Sequence, residues 1–384
     1  MTAVGADLEE LRKRRRRTWL GLMSGTSCDG IDVAAVTLEE SGDEARVVDV
    51  VGKVVPFSPA RSAELKRSLA GSPSAEEACR WDARLGEWFA EAAYAWLAEH
   101  PADAIALSGH TFAHLPGEVP VSTLQVGNPA IVARRTGLPV VAAFRAGDVA
   151  RGGEGAPLVP VGDRVLFGRP DDNVAVLNLG GISNLTWLPR AGGAPRAADC
   201  GPCNLVLDHA LSVLSGGESR WDEGGQRAAL GRSHPELVAA WMQHSYFSGS
   251  VRSTGREVFG EAWVRSHEAE LQQLGLCDAL ATLVEWIARA VAARLTSLGQ
   301  GQPIGGLLVG GGGAYNDALM NALGRCIPAS VEKLDRARHR VGVDLREAAA
   351  FAILGNETLM GRPGSFAETT GCREPGPIGG WWFP

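Results

Sequence analysis

The residues best suited to chemistry fall in one early stretch. Residues 20–36 read LGLMSGTSCDGIDVAAV: an apolar run, then the small and hydroxyl residues Ser24-Gly25-Thr26-Ser27, then two carboxylates, Asp29 and Asp32. A loop of this kind offers backbone N–H groups and hydroxyls with little side-chain bulk, which suits the close approach of a polyphosphate. The carboxylates suit a hydrated Mg2+, with Asp29 the candidate ligand. The candidate nucleotide contacts are therefore Gly25, Thr26, Ser27, Cys28, Asp29, Gly30, Ile31 and Asp32. The plainer reading of the same letters is a hairpin turned at Asp29-Gly30, because glycine tolerates the positive φ that such turns require.

Three other clusters invite a chemical reading. Residues 304–323 (IGGLLVGGGGAYNDALMNAL) predict a buried strand, four glycines and a helix. Gly310, Gly311, Gly312 and Gly313 leave room for a planar ring and its ribose against the backbone, and Asn316 can cap the helix or contact the ligand. Such turns serve many ligands, so this one is weak alone. Cys200-Gly201-Pro202-Cys203 has the CxxC spacing that lowers a thiol pKa at a helix N-terminus. However, the usual preceding Trp is absent, and no second pair stands at zinc-ligand spacing. His110 and His114 are four apart, yet HTFAHLPGEVP is turn-rich and lacks the glutamate of a zinc helix. Neither cluster is assigned a metal.

The elements that must position these residues repeat a theme. Residues 19–23 and 31–36 predict strands around the first loop, and 46–57 (RVVDVVGKVVPF) a third strand closing a meander. Helical patterning from 60 to about 100 places Trp81, Leu85, Trp88, Phe89 and Trp96 in a core. Residues 104–108 predict a short buried strand. Strand, glycine loop and strand then return at 173–187 (NVAVLNLGGISNLTW), with Gly180 and Gly181 in the loop. A helix is expected from about Pro202, another over 278–298 and a last one around 347–354. Two copies of a hairpin suggest a duplicated ligand-binding domain, since a solenoid or propeller needs more.

Composition bounds the function classes. A chain of 384 residues is comfortable for two domains. Hydrophobic content of 45% with 21% charged residues is ordinary for a globular protein. A net charge of -7 argues against nucleic acid, and no apolar run approaches the roughly 18 residues of a membrane span. Seven scattered cysteines fit a reducing cytoplasm better than a disulfide framework. The basic run at residues 11–17 has no apolar core or cleavage site after it, so residues 1–18 are expected to be a solvated, disordered leader.

The motifs together resemble those of the anhydro-N-acetylmuramic acid kinases, sugar kinases of the actin/hexokinase/Hsp70 superfamily. MSGTSCDGID resembles that family's MSGTSLDGVD, with Cys28 and Ile31 departing. GHTFAH resembles GQTxxH with His110 in place of Gln, and TLQVGNP (123–129) matches TLQxGNP. Residues 144–160 match FRxxDxAxGGxGAPLVP, and DCGPCN (199–204) resembles DTGPGN, with Cys200 and Cys203 departing. STGRE (253–257), GGGxxN at the glycine run and DxxEAxxFAxLA from Asp344 complete the order. The tail GGWWFP is left without a reading.

The resemblance implies an α/β fold of two actin-like, RNase H-like domains facing each other across a nucleotide and sugar cleft. The expected boundaries are 19–165 completed by 344–384, and 166–343. It implies conversion of 1,6-anhydro-N-acetylmuramate, ATP and water into N-acetylmuramate 6-phosphate and ADP, in recycling of cell-wall sugars, with Mg2+ beside ATP. A kinase for a different amino sugar is the alternative, prompted by His110 and Cys203. A sugar sensor or repressor would need an added helix-turn-helix module, which the short charged leader is not expected to supply. The implied partners are a small amino sugar and a homodimer, without nucleic acid or membrane. Gln125, Asn128, Arg145, Asp148 and Glu154 are the implied sugar contacts, because each sugar hydroxyl must be paired while backbone approaches closely. For Arg145 and Asp148 a structural ion pair is the competing reading. Asp199 is the implied general base, placed at the head of the helix expected near Pro202, whose field favours a carboxylate. A plain N-cap is its competing role.

Overall fold

The computed structural model describes residues 3–25, 27–69, 73–248, 254–255 and 257–384, with side chains from residue 8. Two compact units emerge, one formed by Met1–Phe167 with Arg336–Pro384 and the other by Gly168–Asp335. The chain returns to the first unit at Arg336, ahead of the expected residue 344, because Arg340 donates to the Val47 carbonyl and Val341 is buried.

In the first unit a helix, α1 (Ala3–Lys13), leads into an antiparallel meander of β1 (Arg16–Ser24), β2 (Gly30–Ser41) and β3 (Glu44–Pro56). Helices α2 (Pro59–Leu69) and α3 (Ala75–Leu97) follow, then β4 (Ala104–Leu115), β5 (Ser122–Val126), α4 (Pro129–Thr136), β6 (Val140–Ala142), α5 (Phe144–Ala150) and α6 (Val159–Phe167). Ser74 starts α3 with a capping box, accepting from the Glu77 amide while its own amide donates to Glu77. The aromatic stripe expected there is buried, and Trp81, Leu85, Trp88, Phe89 and Trp96 join Leu20, Leu22 and Ile105 in one core. The helix Arg346–Met360 packs on β1, β2 and β4.

β1, β4 and β6 are parallel neighbours, so their carboxyl ends point the same way. That edge, where ligands of open α/β sheets gather, carries the loop after Ser24, His110 opposite Ser24, and the start of α5.

The second unit has β7 (Val174–Leu179), β8 (Ile182–Leu188), β9 (Arg196–Pro202), α7 (Asn204–Leu214), β10 (Gly306–Gly310) and β11 (Ser330–Lys333). Its strand order, β11-β10-β7-β8-β9, reproduces β6-β4-β1-β2-β3 of the first sheet, with the meander antiparallel and the other pairings parallel. The two hairpins read from the sequence are thus the β1-β2 and β7-β8 pairs of one repeated plan.

Three elements differ from expectation. The leader is not a disordered tail: residues 3–13 are helical, Leu11 is buried, and Arg16 and Arg17 belong to β1. Arg17 is 1% exposed; its guanidinium donates to the Leu11 and Arg12 carbonyls and to Asn356, and pairs with Glu40. A buried cation with this many acceptors fixes the run that its charge made look solvated. β4 extends past residue 108 through both histidines, because β5 pairs with its second half. The tail forms β12 (Gly380–Trp382), which pairs antiparallel with β6 and closes that edge.

Candidate functional site

The loop after β1 is built as a tight turn. The Cys28 amide donates to the Gly25 carbonyl (3.1 Å), Ser27 Oγ donates to Asp29 Oδ1 (2.8 Å), and the Phe57 amide donates to the Asp29 carbonyl (2.8 Å). The left-handed residue is Cys28 (φ 55°), not Gly30, so the positive φ expected at the Asp-Gly turn falls two residues earlier. Gly30 opens β2, and a Cβ there would lie 2.6 Å from the Val55 carbonyl. Cys28 and Ile31 are buried in the core of the first unit. Thr26 lies outside the described residues.

Asp32 shares its surroundings with Asp29 and with Asp344 and Glu347, which flank the start of the helix Arg346–Met360. Burial, then Glu347, Asp29 and Asp344 in that order, push the Asp32 carboxyl up to about 7. Such mutual repulsion is what a cation relieves. Among the described residues no three His, Cys, Asp or Glu side chains stand close enough to hold a bare ion. Mg2+ keeps most of its waters and takes one or two carboxylates, a number that Asp29 and Asp32 supply.

The implied sugar residues divide into two kinds. Asn128 caps α4: its Oδ1 accepts from the Ala130 amide and its Nδ2 donates to Asp82 (2.8 Å). Asp148 is fully buried, with Oδ2 accepting from the Gly155 amide and Oδ1 from the Thr370 hydroxyl, both at 2.7 Å. These two hold loops through hydrogen bonds inside the protein. Gln125, Arg145 and Glu154 remain. Gln125 donates to Thr123 Oγ1 (2.8 Å), which lies 3.2 Å from His114 Nδ1. Arg145 donates from Nη1 to the Gly155 carbonyl (3.1 Å), while its buried Nε has no partner. The ion pair of Arg145 with Asp148 is thus replaced by a shared grip on Gly155, beside which Glu154 is exposed. Burial and then the Arg145 cation lower the His114 pKa, so that ring is a neutral neighbour. A cavity of about 230 Å3 beside Gln125 is lined also by Asp82, Thr123, Ala142 and Trp382.

In the second unit three motifs converge on Leu179. The Asn204 and Leu205 amides donate to the Gly180 and Gly181 carbonyls, and Asn204 Nδ2 donates to the Leu179 carbonyl (3.0 Å). Gly311 (φ 80°) has no room for a Cβ, which would lie 2.6 Å from Asn178 Oδ1 and 2.7 Å from the Leu179 carbonyl. At Gly313 a Cβ would meet Leu179 at 2.7 Å, whereas at Gly312 it would meet open space up to Asn204 at 3.9 Å. Gly310 ends β10, and Asn316 caps the following helix Asp317–Cys326, accepting from the Leu319 amide (3.0 Å).

Asp199 is not at a helix head. It lies on β9 opposite Asn184, and α7 begins only at Asn204 with Cys203 as its N-cap. The helix field invoked for its ionisation is therefore too distant, and the N-cap role falls as well. Its Oδ2 accepts instead from the Thr254 amide (2.8 Å), and its carbonyl accepts from the Tyr246 hydroxyl (2.7 Å). Gly201 takes a left-handed φ of 118°, while Cys203 has a φ of -156°. Cys200 and Cys203 are both buried and unbridged.

The sequence model of anhydro-N-acetylmuramic acid kinase matches residues 17–384. The chain belongs to that family. An anhydro-N-acetylmuramic acid kinase of Salinibacter ruber is 37% identical over 97% of this chain and 98% of its own length. Another, of Variovorax paradoxus, is 38% identical over 92% and 96%. Among solved structures, a ROK hexokinase from Thermus thermophilus aligns over 88% of this chain and 99% of its own, at 18% identity and a TM-score of 0.40. Like its anhydro-N-acetylmuramic acid kinase relatives, the protein is a sugar kinase that uses ATP, in a mixed α/β architecture of two sheets. No described helix is long and apolar enough to cross a membrane.

Sequence reasoning missed several neighbours of the site. Asp82 and Tyr246 hold motif residues and carry no signal of their own, while Thr123, Asn204 and Thr254 lie inside quoted motifs but were given no role.

Proposed function

We propose that the protein opens the 1,6-anhydro bridge of 1,6-anhydro-N-acetylmuramate with water and phosphorylates the released O6, with Asp199 as general base. The names shared by relatives at 32–38% identity favour this sugar over a different amino sugar. The observation that carries the reading is the Asp199 carboxylate, held at Oδ2 by a main-chain amide in the unit that contains the glycine loop.

A bridged sugar has no free 6-hydroxyl. Water attacks C1, Asp199 takes its proton, the C1–O6 bond breaks, and O6 takes the γ-phosphoryl group of ATP as ADP leaves. The chemistry resembles inverting glycoside hydrolysis, with phosphoryl transfer replacing the acid that would protonate the leaving oxygen. In the second unit Gly310 to Gly313 take the adenosine and Gly180-Gly181 offer amides to phosphate. In the first, the loop from Gly25 to Asp32 offers amides to phosphate, and Gln125, Arg145 and Glu154 take sugar oxygens. Asp29 and Asp32 would hold Mg2+, which supplies charge neutralisation on the phosphates.

A cytoplasmic location, supported by seven unbridged cysteines, and a homodimer belong to the same reading. In ¹⁸O-water the label is expected at C1 of the N-acetylmuramate 6-phosphate formed. Label in the phosphate would overturn the mechanism.

A further inference from the structure

We infer that Tyr246 is a positioning residue for the general base: its hydroxyl anchors the Asp199 main chain so that the carboxylate stays aimed at the attacking water. The inference rests on the reading of Asp199 as the base.

Asp199 lies where its sheet is irregular. β9 is the edge strand of its sheet, and its register against β8 slips between Ser183 and Asn184, so that Asn184 opposes Asp199 and Ser183 opposes Gly201 with Cys200 left over. A bulge at a sheet edge re-aims the side chain beside it. Tyr246, on the short helix Ser245–Ser248, adds an anchor from outside the sheet. Its hydroxyl donates to the Asp199 carbonyl at 2.7 Å, and the Thr254 amide donates to Asp199 Oδ2 at 2.8 Å, so main chain and carboxylate are held separately.

The tyrosine is itself held on every side. It is 6% exposed, its ring meets those of Phe247 and Phe259 edge-on at 5.4 Å, and the Arg294 guanidinium lies 5.3 Å from the ring centre. Burial raises the phenol pKa, so the donor keeps its proton at any working pH. The strand makes room for this contact at Gly201, where a Cβ would lie 3.4 Å from the Tyr246 ring and 3.3 Å from Phe247.

A base displaced by about 1 Å can lose on the order of 100-fold in rate without any loss of binding. Tyr246→Phe keeps the ring and removes only the donor. Its kcat should fall about 10-fold, with KM for ATP and for the anhydro sugar within about twofold of the parent. Turnover is expressed per ATP-binding site, so that unfolded protein does not count as lost activity. In the double variant with Asp199→Asn, the tyrosine change should cost nothing further, because it acts through the carboxylate. An unchanged kcat in Tyr246→Phe, or losses that multiply in the double variant, would overturn the inference while leaving the base intact. Full turnover in Asp199→Asn would overturn the base reading and this inference with it.

Discussion

The Cys28 sulfur lies 4.0 Å from Nε2 of His110, and Nδ1 of the same ring lies 3.2 Å from the Ser24 hydroxyl. Both residues depart from the family pattern, which has leucine and glutamine there, and the fold brings the two departures into contact. The pair is neutral. Burial pulls the imidazole down to about 4, against a raising bond to Ser24, and burial raises the Cys28 thiol.

This pair makes stability depend on pH. The folded imidazole takes a proton only below about pH 4, the unfolded one below its ordinary 6.5. Between those values the unfolded chain binds the extra proton, so the contribution is complete above pH 6.5 and is lost as pH falls towards 4, by up to roughly 3 kcal/mol. Urea midpoints at pH 7.5 and pH 5 should show this, and His110→Gln should flatten the difference. An equal slope in both proteins would remove His110 as its source.

Asp148 should prove structural. Asp148→Ala leaves the Gly155 amide and the Thr370 hydroxyl without their acceptor in the interior, at roughly 1–3 kcal/mol each. Denaturant titration should find a loss of about 3 kcal/mol. A weaker grip on the sugar should accompany it, since Gly155 also anchors Arg145. A loss below about 1 kcal/mol would mean that the loop does not depend on these bonds.

Gly311→Ala tests the adenosine loop. The new Cβ would sit 2.6–2.7 Å from Asn178 and the Leu179 backbone at a φ that favours glycine, so the loop must shift. ATP affinity measured by calorimetry should fall at least about 10-fold, or roughly 1.4 kcal/mol. Gly312→Ala, which faces open space in the protein, separates the two causes: if it weakens ATP while Gly311→Ala does not, the ligand and not the backbone sets the requirement.

What could be read in the letters follows from where the information sits. Both hairpins, the aromatic face of α3 and the glycine run were legible because each is a local pattern of period or turn chemistry. The leader was misread because a run of arginines looks solvated, and only Glu40 and Asn356, far along the chain, show that Arg17 turns inward. β12 escaped for a similar reason: three residues of a tail become a strand only when β6 offers an edge. Asp199 was read at a helix head, and the structure places it on β9 instead. A CxxC before an apolar helix looks like a cap, and the bulge that keeps Asp199 on β9 depends on pairing with β8. Asn128 and Asp148 had the chemistry of sugar ligands, and nothing local distinguishes a hydrogen-bonding group that faces a cavity from one that closes a loop.

The last prediction concerns the Cys200 and Cys203 pair, whose spacing suggests a redox couple. A reactive CxxC thiol needs a lowered pKa and access to solvent. Neither condition holds. Both sulfurs are buried, and burial pushes the Cys203 thiol up to about 12 and the Cys200 thiol higher still, with the Asn204 contact and Arg294 as smaller opposing influences. Thiolate is the nucleophile, so at pH 8 the native protein should be alkylated at exposed Cys79 while Cys200 and Cys203 stay unmodified until denaturant is added. Peptide mass spectrometry of the alkylated protein reads this directly. The variant carrying Cys200→Thr and Cys203→Gly, the residues of the family pattern, should turn over within about threefold of the parent, since a factor of three is well under 1.4 kcal/mol. A Cys200–Cys203 disulfide in the unreduced native protein, together with lost turnover in that variant, would establish a redox role instead.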